Sequence, residues 1–211
     1  MTRALRVIRW ASIGLLVLIS AGITVYRLRP TDRSAIAAAQ QTVAPGFDTT
    51  IGGPFHLTDA KGRAVTNADF RGRWMLVFFG YTNCPTDCPL TLQRMSATLE
   101  KLGRLADKVV PLFITVDPAR DTSARMASYL ENFDPRIVGL TGDDKQIAEA
   151  AQAYKVFYSP AQHEASGADL VSHSNLLYLM TPTGTFDAPF SADDDAEKLA
   201  TALRAKLATK S

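Results

Sequence analysis

The sequence predicts an α/β fold, a three-layer sandwich around a mixed central sheet, preceded by one membrane-spanning helix. Three observations carry this. Short apolar runs rich in β-formers alternate with stripes of helical period. A run near the N-terminus has no charged residue. The stretch Trp74 to Leu92 joins a buried strand to a helix through the only two cysteines of the chain, Cys84 and Cys88. With 211 residues, 46% of them hydrophobic, there is material for one domain with a sizeable core and a short appendage.

The appendage comes first. Trp10 to Tyr26 spans 17 residues without a charge, the short end of what crosses a bilayer. Its aromatic ends suit the two interfaces, and Arg9, Arg27 and Arg29 can snorkel. The small-x-small pattern at Ala35 to Ala39 lies too far beyond the apolar run for signal cleavage, so an uncleaved anchor is expected. The expected division is a cytoplasmic N-terminus over 1–9, an anchor over 10–28, a tether over 29–45 and a globular domain over 46–211. Residues 1–33 hold six Arg and one Asp, or +5 of the net +2, which leaves the remainder at −3. No basic stripe remains on the globular part, which argues against nucleic acid. The leader lacks room for an Arg/Ser-rich transit peptide, and nine residues are too few to fold inside. The expected location is therefore a bacterial inner membrane, single-pass, with the domain on the periplasmic side, where oxidised cysteines are also permitted.

Along the domain, Phe55 to Thr58 and Ala64 to Thr66 read as a hairpin around Asp59-Ala60-Lys61-Gly62-Arg63. Met75 to Phe79 is a buried strand and Gly80 marks a break. Pro89 reads as the first residue of a helix with Leu92, Met95, Leu99 and Leu102 on its inner face. Val109 to Val116 is a second strand ending at Asp117-Pro118. Asp121 and Thr122 can cap a helix facing inward with Met126, Tyr129, Leu130 and Phe133. Ile137 to Leu140 is a short strand. Asp143 and Gln146 form a capping box for a helix with Ile147, Ala150, Ala151 and Tyr154 inside. Val156-Phe157-Tyr158 reads as a brief strand, Gln162 to Asp169 as a polar loop, and Asn175 to Met180 as a strand. Thr181 to Gly184 is a turn, and Phe186 begins the hairpin mate. Ser191 and Asp193 to Asp195 start a last helix carrying Leu199, Leu203 and Leu207. A strand, a dithiol and a helix start in this setting look like a thioredoxin-type fold, although its redox motif has two intervening residues and this chain has three.

In a coiled turn, Cys84 and Cys88 lie one turn apart, with Cβ atoms roughly 5–6 Å apart. Both sulfurs then sit near a helix N-terminus, which favours thiolate. A stapling disulfide closing five residues removes little chain entropy; redox or metal-binding use fits better. Two thiolates under-coordinate most metals, so a further ligand is expected. His56 and His163 read as surface or packing residues. His173 stands in Val171-Ser172-His173-Ser174-Asn175 at the mouth of a late strand, where a thioredoxin-like sheet brings the chain beside the dithiol. Asp117 reads either as a turn residue before Pro118 or as a carboxylate that tunes the ligands from behind. Arg120 and Asp121 read as a capping and charge-pair feature, and Phe79 and Tyr81 as packing around the thiols.

Beyond this, the chain resembles the Sco/SenC family of membrane-anchored copper proteins. The matching segments are Phe79-Gly80-Tyr81-Thr82-Asn83-Cys84-Pro85-Thr86-Asp87-Cys88-Pro89, Ile114 to Thr122, Val138 to Gly142, Tyr154-Lys155-Val156 and Ser172-His173-Ser174. One departure is Asn83, where the family often has histidine in a position that is not a ligand. The resemblance implies that Cys84, Cys88 and His173 bind one copper ion per monomer, as Cu(I) or Cu(II). Soft thiolates suit Cu(I), and imidazole suits either state. It further implies a metallochaperone that delivers copper to the dinuclear centre of cytochrome c oxidase subunit II, and it admits other periplasmic copper chaperones as partners. The alternative is a thiol:disulfide oxidoreductase that keeps the oxidase subunit's cysteines reduced. Nothing marks a peroxide pocket.

Overall fold

Asp59 shapes the first turn of the domain. Its carboxylate accepts from the backbone N–H groups of Lys61 and Arg63, both at 2.9 Å, and from Arg63 Nε at 2.8 Å. The result is the expected hairpin of β1 (His56–Asp59) and β2 (Ala64–Thr66), with His56 opposite Thr66. The structure, a computed structural model, describes residues 50–158 and 175–208. The expected anchor over 10–28, the tether, His163 and His173 lie outside them. Among the described residues no helix is long and apolar enough to cross a membrane.

The central strand is β3 (Trp74–Gly80), all seven residues buried. It runs parallel to β4 (Val109–Thr115), which runs parallel to β5 (Val138–Thr141). Continuous apolar sequence suits strands covered on both faces. On the other side β3 pairs antiparallel with β6 (Leu176–Met180), and β6 with β7 (Phe186–Ser191). β1 pairs antiparallel with β5. The sheet order is β2-β1-β5-β4-β3-β6-β7, a mixed, thioredoxin-like sheet.

Two successive right-handed crossovers that step the same way along a sheet leave their helices on one face. α1 (Asp87–Leu102) follows β3, and α2 (Ser123–Leu130) follows β4. Both lie on the face of Phe78, Gly80, Phe113 and Gly139. A Cβ at Gly80 would meet Cys88 of α1, and one at Gly139 would meet Leu130 and Met126 of α2. Leu92, Met95, Leu99 and Leu102 are buried, as their spacing predicts. α2 is capped by Thr122, whose Oγ1 accepts from Arg125 N–H at 3.3 Å. α3 (Asp144–Ala153) carries the expected Asp143–Gln146 capping box and leads to Tyr154 on the opposite face. α4 (Ala196–Ala208) packs on α1, with Arg94 Nη1 donating to Ala192 O at 2.8 Å and Lys101 paired with Glu197.

Three expectations are corrected here. α1 begins at Asp87, so Pro89 is its third residue. That position tolerates proline because the first turn has no partner for its N–H groups. Val156-Phe157-Tyr158 is not a strand: only Tyr158 makes a bridge, and Phe157 is 85% exposed. Lys155, at φ +56°, ends the helix and turns the chain away from regular pairing. Ser191 belongs to β7, and α4 starts later, where Asp195 accepts from Lys198 N–H at 2.7 Å.

Candidate metal centre

The dithiol stands at the carboxyl end of β3, the edge where α/β sheets bind their ligands. Gly80 closes the strand, and its carbonyl accepts from Val116 N–H at 2.8 Å, which sets the end of β4 beside it. The chain then turns through Tyr81 to Cys84, whose N–H donates to Tyr81 O at 3.3 Å. Thr86 precedes α1 but caps nothing with its side chain. Cys84 does that work instead: its Sγ accepts from the backbone N–H of Cys88, the second residue of the helix, at 3.3 Å. The helix N-terminus is thus aimed at the Cys84 sulfur, as the spacing led us to expect.

The two sulfurs are not equivalent. They stand as separate thiols, Cys84 half-buried and Cys88 fully buried. A hydrogen bond to Cys84 and burial both push the Cys88 thiol well above its ordinary range, against the pull of the Tyr81 backbone. At Cys88 the helix N-terminus, which favours thiolate, is therefore opposed by burial and by the hydrogen bond to Cys84.

Gly80 has a role that its reading as a break did not reveal. A Cβ there would stand 2.8 Å from Cys88 Sγ, 2.9 Å from Phe113 Cε2 and 3.1 Å from Phe78 Cε1. The thiol occupies the space that any larger residue would fill. Phe78 and Phe113, with ring centroids 5.9 Å apart, wall this pocket. Phe79 does not: it projects to the other face, against Tyr154 at 5.4 Å and Tyr178 at 6.3 Å. Tyr81 is buried at the head of the turn.

Behind the turn lies a polar hub. Asp121 is fully buried, and its carboxylate accepts from Thr82 N–H at 2.9 Å, Thr82 Oγ1 at 2.6 Å and Thr115 Oγ1 at 2.6 Å. Its carbonyl accepts from Thr141 Oγ1 at 2.6 Å, and Arg125 Nε donates to Thr82 Oγ1 at 3.1 Å. Asp121 therefore ties the dithiol turn to β4 and β5, and the expectation of a helix cap or charge pair at Asp121 is corrected. Arg120 instead pairs with Asp117, and Asp117 O accepts from the N–H groups of Arg120 and Asp121. That is the turn reading of Asp117.

Leu177 pairs with Phe78, so β6 starts at the edge where the dithiol turn leaves β3. His173 lies two residues before the described chain resumes at Asn175. Among the described residues no group of three His, Cys, Asp or Glu side chains could hold a metal ion, and His56 is exposed at the far hairpin.

A thioredoxin-like sheet with a two-thiol turn between its central strand and first helix defines a thioredoxin-fold dithiol protein. Within that class the chain belongs to the SCO1/SenC family, whose model matches residues 43–208. It is 40% identical over 158 residues to the human mitochondrial SCO2 homolog, covering 74% of this chain and 59% of that one. The chain thus spans under two thirds of the length of that curated relative. A solved structure of Bradyrhizobium japonicum ScoI with copper bound is 43% identical, covers 74% of this chain and 98% of its own, and has a TM-score of 0.68. Arabidopsis thaliana ScoI with copper bound is 35% identical over 75% of this chain and 99% of its own, with a TM-score of 0.71.

Proposed function

We propose that this chain is a copper metallochaperone that holds one copper ion between Cys84, Cys88 and His173 and hands it to the dinuclear copper centre of cytochrome c oxidase subunit II. The observation that carries the reading is the dithiol. Two soft sulfurs stand at a helix N-terminus, one anchored in the core and one reachable, in a family whose solved members include copper-bound forms. The start of β6 beside the same edge supports His173 as the imidazole ligand. The sulfurs differ in task. Cys88 fixes the position of the ion, and Cys84 meets the incoming ligand of the acceptor. An open two-sulfur, one-nitrogen set permits that ligand to bind before the first ones leave. The paired carboxylate of Asp117 supports the turn next to the site and is not itself a ligand.

The deciding experiment uses the full chain in detergent, reduced and anaerobic. Wild type is expected to bind one Cu(I) per chain in competition titrations, with mixed sulfur and nitrogen ligation by X-ray absorption. His173→Ala should weaken binding at least tenfold while thiol–disulfide exchange stays near wild type. Cells carrying it should assemble the oxidase poorly when copper is scarce. Normal assembly in copper-limited His173→Ala cells, with defects confined to Cys84 or Cys88 substitutions, would favour the oxidoreductase reading instead.

The same reading places the domain on the periplasmic side of a bacterial inner membrane, held by residues 10–28 and spaced by 29–45. The charge-free run between Trp10 and Tyr26 supports it. Alkaline phosphatase fused after Lys210 should be active. Signal from a cytosolic reporter alone at that junction would overturn the topology.

A further inference from the structure

The pole of the sheet opposite the dithiol is basic. β3 and β4 start there in register, Trp74 beside Val109. The residues just before them, Arg73 and Lys108, therefore stand on neighbouring strands, their backbones about 5 Å apart. Gly72 N–H donates to Pro182 O at 2.9 Å, which holds Arg71 and Arg73 beside the turn that follows β6. The 3₁₀ helix Gly103–Lys108, which leads into β4, adds Arg104 and Leu105. All four cations are exposed, and Leu105 is 36% exposed among them. Arg71, Arg73 and Arg104 form no ion pair among the described residues. The acid of this stretch, Asp107, acts on Arg136, which also pairs with Asp134. The cluster is hidden in the chain order, because strand pairing is what gathers it. The dithiol pole has the opposite character. Asp87 at the start of α1, and Asp193 and Asp195 ahead of α4, are exposed there, with Arg94 3.4 Å from Asp193.

Guanidinium groups match phosphate oxygens two at a time. Basic residues near an anionic bilayer are drawn to it, within the reach that salt allows. We propose that this basic pole docks the domain on the anionic phospholipid headgroups of the membrane that anchors the chain, with the dithiol pole turned away from the bilayer. The inference rests on the anchored reading above. Even fully extended, residues 29–45 span no more than about 60 Å. The domain is therefore kept near the headgroups, and a contact of a few arginines is occupied that would be too weak between free partners. Repulsion of Asp87, Asp193 and Asp195 from the same surface acts in the same sense. Leu105 stands among the cations, as apolar side chains do where proteins rest on a bilayer. Docked this way, the domain presents Cys84 to the aqueous side.

The test is amide hydrogen exchange of the full chain in lipid nanodiscs of phosphatidylcholine, with and without phosphatidylglycerol. Residues 103–108 should exchange about threefold more slowly in the anionic discs, while residues 81–86 exchange equally in both. High salt should abolish the difference, because exposed charges are screened. Arg71→Gln, Arg73→Gln and Arg104→Gln combined should abolish it too. These side chains are exposed, so the urea midpoint of the triple variant should stay at the wild-type value. Equal exchange of 103–108 in the two lipids overturns the proposal. So does protection that survives the triple substitution, and so does protection of 81–86 in place of 103–108, which would turn the dithiol pole to the bilayer. A disc presents the same lipid on both faces, so the result is independent of which side of the cell membrane the domain occupies; the reporter fusion decides that. A chain that does not enter the discs at all overturns the anchor, and the docking with it.

Discussion

Gly80→Ala is expected to abolish tight copper binding while leaving every proposed ligand in place. The added methyl would need space now held by Cys88 Sγ at 2.8 Å, Phe113 at 2.9 Å and Phe78 at 3.1 Å. None of these can retreat cheaply. Both rings are fully buried, and Cys88 is held by the first turn of α1. Forcing a methyl into such a core costs about 1–3 kcal/mol. The strain would be relieved by moving the sulfur or sliding the start of α1 outward, and either destroys the fixed spacing from Cys84. Urea unfolding should show the stability loss, and anaerobic Cu(I) competition should show affinity down by two orders of magnitude or more. Wild-type affinity in a folded Gly80→Ala protein would mean that the Cys88 sulfur is not a ligand at this position.

The second large effect is expected at Asp121, which touches no sulfur. Asp121→Ala strips three donors of their acceptor at once: the Thr82 N–H, the Thr82 hydroxyl and the Thr115 hydroxyl. Each buried donor left without a partner costs about 1–3 kcal/mol. The hydroxyls can turn elsewhere, so a total near 3–5 kcal/mol is expected, enough to unfold a marginal domain at moderate temperature. The loss should concentrate at the dithiol turn, two residues from Thr82, and hydrogen exchange should report opening of residues 81–86 before the sheet. A double-mutant cycle with Thr82→Val separates this from general damage, because partners in one network show coupling well above 0.5 kcal/mol. Strict additivity would show that the hub does not hold the turn.

Both residues were present in the sequence with other meanings. Strand and helix positions were legible because period-2 and period-3.6 patterns report burial directly, as the stripe from Leu92 to Leu102 shows. Asp121 was not, since its hydrogen bonds reach Thr82, 39 residues away, while a local pattern offers only a cap beside Thr122. Gly80 looked like punctuation, because a sequence shows a missing side chain but not what fills the gap. Phe79 and Phe78 could not be told apart as neighbours of the thiols until the helices were assigned to faces of the sheet. The two cysteines were found by spacing, yet their division into a buried and a reachable sulfur depends on where α1 begins, two residues earlier than Pro89 suggested.

The ends of the sheet limit how another protein can engage this domain. One outer strand, β2, has only three residues. The other, β7, contains Pro189 and pairs with β6 through a register shift at Leu179/Met180. Proline offers no N–H, and an irregular strand does not present an even row of donors and acceptors. Neither flank makes a good template for strand addition, a common route to protein recognition. Approach is thereby directed to the carboxyl end of the parallel strands. Among the described residues, that end carries Cys84, the half-buried sulfur of the pair.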